Sequence, residues 1–399
     1  MPPLKLTIER TVLLPDRLGL ARLARAPELG PRVLFFSGGS ALAGLSRVLI
    51  NYTHNSIHLI TPFDSGGSSA KIREAFAMPA VGDLRNRMMA LADQSVQGNP
   101  DIYLLFAHRL SREESPRELA AQLDQMIRGV HPLTAAVPDP MRKIIRNHLG
   151  YFRASMPPDF DLGGASIGNL VLTGGYLNNR CHLDPVIFLF SKLAEVRGMV
   201  RPVVSADLHL VAVLEDGSRV VGQHNLTGRE KPPIKCPVKD LHLTDNLENP
   251  VSVKPAIRQK VRDMIASAEL IVYPMGSFYS SLVANLLPLG VASAIAENHC
   301  PKVFIPNTGF DKEMPGQSAA AATRKLLAVL RAGAGEDTPV DQLLNLVLVD
   351  SSQGDYPGGL DLPALEAMGP PVIDLPLADA ERPGELAPRA LAEVVMSLV

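Results

Sequence analysis

The chain has 399 residues, 46% hydrophobic and 20% charged, which gives length enough to bury a large core in one big α/β domain or two modest ones. Its formal net charge of -2 provides no general pull toward nucleic acid or acidic membranes, and no basic patch interleaved with aromatics appears. Three widely spaced cysteines, Cys181, Cys236 and Cys300, argue against a disulfide framework or a structural zinc site.

The opening MPPLKLTIERTVLL carries charges inside its apolar stretch, so it does not read as a secretory signal. No apolar run approaches the roughly 18 residues of a membrane span, and cytoplasm is the expected location. Residues 1–31 read as an N-terminal extension, with a strand at Leu4–Ile8 and a helix from Asp16 to Arg25. The main α/β domain, residues 32–399, then begins with the apolar run Val33–Phe36, the turn Ser37-Gly38-Gly39-Ser40 and a helical pattern through Leu42, Leu45, Val48 and Leu49. A second strand, Ser56–Ile60, ends in Asp64-Ser65-Gly66-Gly67-Ser68-Ser69, and Lys71–Phe76 looks helical. Strand, glycine-rich turn, helix and strand in this order start a βαβ unit with a parallel sheet.

A helical insertion is expected over about 101–160, with Glu118–Ile127 as its clearest amphipathic stretch. The segment Leu162–Asn169 leads into an apolar helix, and Pro185–Arg197 should form another. His209–Leu214 and Arg219–Gly222 read as a hairpin turning at Asp216-Gly217, followed by a Lys- and Pro-rich loop over 227–237. The α/β alternation then resumes: helix Ala256–Ser267, strand Leu270–Pro274, a helix opened by Gly276-Ser277, strand Val303–Pro306, helix Ala319–Ala332, strands Leu344–Val349 and Val372–Leu375, and a last helix from Pro388. The expected fold is a doubly wound, mostly parallel Rossmann-like sheet with helices on both faces.

Three glycine/serine turns each follow an apolar strand: Ser37–Ser40, Asp64–Ser69 and Gly276-Ser277. In an open parallel sheet ligands bind beyond the carboxyl ends of the strands, where these turns fall. Glycine lets the backbone approach a phosphate, free amides at a helix start face the anion, and serine hydroxyls add donors. None is a P-loop and none has full dinucleotide-fingerprint spacing, and turns of this kind also arise for geometric reasons alone. In Val81-Gly82-Asp83-Leu84-Arg85-Asn86-Arg87, Asp83 is either a helix cap or a site residue. Arg85 is either a bidentate phosphate holder or a salt-bridged surface arginine, with Asn86 or Arg87 flanking the ligand. Gly168 and Asn169 before the apolar helix, and Asn307 after Val303–Pro306, read the same two ways. Asp64 at a strand end suits a Mg²⁺ ligand or a general base, and equally a turn-stabilising aspartate.

In order along the chain, FFSGGSALAGL, PFDSGGSSAKIR, PAVGDLRNRMMALAD, ASIGNLVL and MGSFYSSLVANLL, with the Asn307 stretch and Pro315-Gly316, resemble the CofD-like family. That family includes 2-phospho-L-lactate transferases and YvcK-type gluconeogenesis factors, and the wording here is closer to the second branch. The resemblance implies a Rossmann-like sheet with a GDP- or UDP-type nucleotide compound across its carboxyl edge. It also implies either Mg²⁺-assisted transfer of a phosphate-linked group or regulation by a bound UDP-sugar. In the transferase reading Asp64 and Arg85 are catalytic, with Asp64 the metal ligand. Gly38, Gly39, Ser40, Gly66, Gly67, Ser68, Asp83, Asn86, Gly168, Asn169, Gly276, Ser277 and Asn307 hold the nucleotide. The chain departs from the family pattern at Ser65, where a second acid is usual, at Ala165 in place of histidine, and at Pro274-Met275 in place of Gly-Pro. Neither a nucleic-acid nor a membrane partner is expected, and a homo-oligomer is left open.

Overall fold

The computed structural model describes residues 11–95, 97–228 and 234–399, so the expected strand Leu4–Ile8 lies outside the described residues. Ten strands follow in chain order: β1 Val33–Ser37, β2 Ile57–Ile60, β3 Met199–Pro202, β4 His209–Leu214, β5 Arg219–Val221, β6 Val238–Thr244, β7 Leu270–Tyr273, β8 Lys302–Phe304, β9 Leu346–Val349 and β10 Val372–Asp374. Seven form one sheet in the order β10-β9-β8-β7-β1-β2-β3, parallel throughout.

The sheet is parallel because each step between neighbours is spanned by helical chain, and its central strands are apolar on both faces because both are covered. Along β1, Leu34 and Phe36 enter a core beneath helices Gln259–Ala266, Val291–Glu297 and Ala319–Ala334. The alternate residues Val33 and Phe35 enter another core under Ala43–Leu49 and Pro388–Ser397. This twofold alternation is what a doubly wound sheet requires. The helix Arg17–Leu23, capped by Asp16 through the amides of Leu18 and Gly19, joins the second face, where Arg17 pairs with Glu393 at 3.0 Å.

Between β2 and β3 the chain makes a run of helices with a core of its own around Phe106, Phe152 and Phe190. The three remaining strands form an antiparallel sheet, β5-β4-β6, whose inward residues Leu210, Ala212, Leu241 and Leu243 join the first core. Its hairpin runs into the short helix Gln223–Leu226, which is held over the turn after β2 by a hydrogen bond between His224 Nδ1 and Ser65 Oγ at 2.7 Å. Among the described residues no helix is long and apolar enough to cross a membrane.

From β1 the chain winds outward through β2 to β3; it then returns to the other side of β1 and winds away through β7, β8, β9 and β10. The direction of winding therefore reverses between β1 and β7. Loops leaving these two adjacent strands part in opposite directions, and a crevice opens at their carboxyl ends.

Candidate functional site

That crevice is a cleft of about 630 Å³, counted to its mouth. One wall is the loop Gly38–Leu42 after β1; the other is Pro274–Ser277 after β7 with Ser281 and Leu282. Asp64, Gly66 and Asp83 close one end, and Gln223, His224 and Thr227 lie across it from the small sheet.

The amides of Gly38, Gly39, Ser40 and Ala41 make no hydrogen bond among the described residues. The loop is kept tight by its glycines. A Cβ on Gly39 would sit 2.2 Å from Asp83 Oδ1 and 3.0 Å from its Cα, and one on Gly38 would sit 2.5 Å from Ser281 Oγ. From beneath, Arg87 braces the loop. Its guanidinium is fully buried and donates to the Gly38 carbonyl at 2.9 Å, to Ser46 Oγ at 2.5 Å and to Ser37 Oγ at 3.4 Å. Burial lowers its pKa to about 10, with nearby Asp83 opposing, so it stays charged at neutral pH. Asn285 adds a second brace, donating to the Ser37 carbonyl at 3.1 Å.

The turn after β7 is organised differently. Asn307 Oδ1 accepts from the Gly276 amide at 2.6 Å, and its Nδ2 donates to the Gly276 carbonyl and to Asp311. The following π-helical turn, Phe278–Val283, presents its first amides to two carboxylates. Asp311 accepts from Phe278 at 3.0 Å, and Glu313 accepts from Tyr279 and Ser280 at 2.8 Å each. This helix start is already filled with the protein's own negative charge. Burial and the neighbouring Asp311 raise the pKa of Glu313 to about 7, and burial raises that of Asp311 as well.

In the turn after β2, Asp64 Oδ1 accepts from the Gly66 amide at 3.1 Å. A Cβ on Gly82 would lie 3.1 Å from Asp64 Oδ2, so the start of helix Gly82–Ala90 packs directly against this carboxylate. Helix Gly67–Phe76 starts here with no side-chain cap. Gly67 has φ +52 and open space where a Cβ would be.

The predicted site residues thus divide. Gly38, Gly39, Ser40, Asp64, Gly66, Asp83, Gly276 and Ser277 meet at the cleft. Asn307 stands behind Gly276 as a clamp. Gly67, Ser68, Arg85 and Asn169 gather on the far side of Asp64, where Asn169 Oδ1 accepts from Arg85 Nε and its Nδ2 donates to Ser68 Oγ, both at 3.4 Å. Gly168 makes room for Arg85, whose Cγ would lie 3.1 Å from a Cβ there. Asn86, half-buried, lies one helical turn beyond Asp83 and is not part of the cleft wall.

Sequence reasoning did not find Gln223, His224, Ser281, Asp311 or Glu313; of the two residues it offered as flanking the ligand, Asn86 or Arg87, Arg87 lies under the loop after β1. His224 meets Ser65 across 159 residues, a pairing with no local signal. The buried Gln223 Oε1 has no partner among the described residues, which leaves an acceptor to be satisfied at the cleft wall. A second chamber of about 560 Å³ shares Pro274, Met275 and Gly276 with the cleft and is lined by Phe278, Phe304, Phe310 and Tyr356.

Comparison with known proteins agrees with this architecture. A curated relative, the gluconeogenesis factor of Listeria monocytogenes, is 30% identical over 70% of this chain and 67% of its own. That of Bacillus subtilis is 25% identical over 86% of this chain and 90% of its own. Among solved structures, a member of the UPF0052 family from Bacillus halodurans superposes with a TM-score of 0.65 at 22% identity, covering 92% of this chain and 98% of that one. The family model described as 2-phospho-L-lactate transferase CofD matches residues 33–376, and the chain belongs to that CofD family.

Proposed function

We propose that this chain is a CofD-like transferase. It binds a GDP- or UDP-type nucleotide compound in the cleft between β1 and β7 and passes a phosphate-linked group, of the 2-phospho-L-lactate kind, to an acceptor. The observation that carries the reading is the row of amides at Gly38–Ala41 that have no partner among the described residues, placed at the winding reversal beside Asp64 and Asp83. Phosphoryl chemistry asks mainly for positioning and charge neutralisation, and backbone amides supply both without a change in protonation.

The amides of Gly38, Gly39 and Ser40 receive the diphosphate oxygens, and the hydroxyls of Ser277 and Ser281 donate from the opposite wall. The nucleoside enters the aromatic chamber beside Pro274–Gly276, where apolar surface is available to a base. The acceptor's hydroxyl oxygen attacks the phosphorus remote from the nucleoside, the bridging P–O bond breaks and the nucleoside monophosphate leaves; Asp64 either takes the acceptor's proton or serves as a Mg²⁺ ligand. Mg²⁺ in such sites is held by one or two carboxylates plus substrate phosphates, and Asp64 and Asp83 on one cleft wall fit that donor set. When bound, the ion would neutralise charge gathering on the transferred group.

A non-catalytic regulator using the same cleft is the second reading. It is favoured by Ser65, which stands where a second acid is usual in the family and is engaged by His224. Thermal-shift screening with GDP, UDP and UDP-N-acetylglucosamine, each with and without Mg²⁺, tests binding, and ³¹P NMR of the bound nucleotide tests turnover. Mg²⁺-dependent consumption lost in Asp64→Ala supports transfer. An Asp64→Ala protein that still turns over removes Asp64 from the mechanism, and a nucleotide left intact favours the regulator.

A further inference from the structure

The helical run between β2 and β3 includes helices Pro116–Arg128 and Met141–Ser155. At the surface between them lies an open groove of about 880 Å³, counted to its mouth, lined by Ile127, Lys143, Arg146, Gly150, Tyr151 and Ala154 among others. Helix Met141–Ser155 carries four cations and no carboxylate. Two are paired within the chain, Arg142 with Asp139 at 3.0 Å and Arg153 with Asp124 at 3.2 Å. The other two, Lys143 and Arg146, line the groove and make no ion pair among the described residues. Arg146 Nε donates to the Ile127 carbonyl at 2.6 Å, which fixes the guanidinium at the end of the other helix.

Gly150 is the notch of this groove. A glycine inside a helix is destabilising relative to alanine, and nothing within the chain requires one here, since a Cβ at Gly150 would meet no atom within 4 Å. On the neighbouring helix Ile167–Asn178 the opposite holds: a Cβ on Gly175 would lie 2.6 Å from Val186 Cγ1 and 2.9 Å from the His148 ring. The groove therefore offers an uncovered floor beside unpaired positive charge, and an acidic surface with an apolar knob complements it.

The chain carries such a surface. After β6, Asp245-Asn246-Leu247-Glu248 forms a turn whose four residues are exposed. Asn246 Oδ1 accepts from the amides of Glu248 and Asn249 at 2.9 and 3.0 Å, and the Asn246 amide donates to Thr244 Oγ1 at 3.2 Å. The turn is thus ordered without a partner. Leu247 is 52% exposed between Asp245 and Glu248, neither of which is in an ion pair among the described residues. Covering a leucine already fixed in place gains apolar burial and loses little conformational freedom. Leu247 does not line the groove of its own chain.

We infer that the groove between helices Pro116–Arg128 and Met141–Ser155 is a self-association site. The Asp245–Glu248 turn of a second copy of this chain seats Leu247 over Gly150, with its carboxylates beside Lys143 and Arg146. Neither surface lines the nucleotide cleft. Because turn and groove are different surfaces, a copy that lacks one still supplies the other.

Sedimentation velocity of the full chain over a concentration series tests this, with Leu247→Ser to remove the knob and Gly150→Met to fill the notch. The unmodified chain should associate reversibly, and more weakly as salt rises. Each variant should weaken association roughly tenfold or more. Gly150→Met should melt at or above the temperature of the unmodified chain, since its side chain enters open space on a helix. An equimolar mixture of the two variants should recover a complex, because the first keeps the groove and the second keeps the turn. A chain that stays monomeric at every concentration overturns the proposal, and so does association that neither variant weakens. A mixture no more associated than its separate components also overturns it, as does a lower melting temperature in Gly150→Met.

Discussion

The turns after β1 and β7 sit side by side at the same sheet edge, and both follow an apolar strand with glycine and serine before a helix. After β1 the amides of Gly38–Ala41 have no partner among the described residues and a cation, Arg87, supports the loop from below. After β7 the amides are taken by Asn307, Asp311 and Glu313. The amides of one turn have no partner among the described residues, and those of the other are filled by the chain itself. The same local pattern therefore leaves amides open or fills them, depending on residues far away in sequence. What distinguishes them is what stands behind each loop: the buried guanidinium of Arg87 on the Gly38 carbonyl after β1, and the carboxyl groups of Asp311 and Glu313 on the amides after β7.

The comparison can be broken most severely at Arg87. Arg87→Met leaves the Gly38 carbonyl and two serine hydroxyls short of a donor, and should cost about 3 kcal/mol, seen as a melting temperature lower by several degrees. Loss of any nucleotide-induced thermal shift should accompany it. A variant as stable as the unmodified protein would falsify the bracing role.

At the other turn, Glu313→Gln keeps an acceptor for the amides of Tyr279 and Ser280 while removing the charge. The folded-state pKa of Glu313 is raised from 4.5 to about 7, so its favourable contribution is fully present below the unfolded value and is lost as pH rises through about 7. Melting of both proteins from about pH 5 to pH 8 should show Glu313→Gln gaining on the unmodified chain as pH rises, by a few degrees at most. A difference independent of pH contradicts a titrating plug. The smallest effect is expected at Gly67→Ala, where φ is +52 but nothing lies within 4 Å of the new methyl. The cost should be about 1 kcal/mol in thermal or denaturant unfolding, with nucleotide binding unchanged. A loss of binding there would move the nucleotide toward the second turn.

Much of this arrangement was legible before the structure, for identifiable reasons. β1, β2 and β7 are short apolar runs ended by glycine-bearing turns, a pattern that parallel strands buried on both faces impose. β3 was missed because it is an edge strand: Met199–Pro202 contains an arginine and a proline and pairs only with β2. β6, Val238–Thr244, was missed because charged Lys239 and Asp240 interrupt its alternation where one face meets solvent. At the site, glycine and aspartate next to strand ends could be read locally. Which amides stay open could not, since Asp311 and Glu313 approach their partners from 33 or 34 residues away. The separation of Arg85 from Arg87 was hidden as well. Two residues apart on a helix, they lie on different faces, and only packing reveals that Arg87 reaches the loop after β1 while Arg85 meets Asn169.

Isothermal titration of GDP and of UDP, each with Mg²⁺, into the unmodified chain and into Gly39→Ala tests the central claim most directly. The account predicts that one of the two nucleotides binds the unmodified chain at a single site. In Gly39→Ala, where the new methyl meets Asp83, that affinity should fall roughly tenfold or more. Equal binding to both proteins, or binding of neither nucleotide to the unmodified chain, would contradict the assignment of the β1–β7 cleft as the nucleotide site.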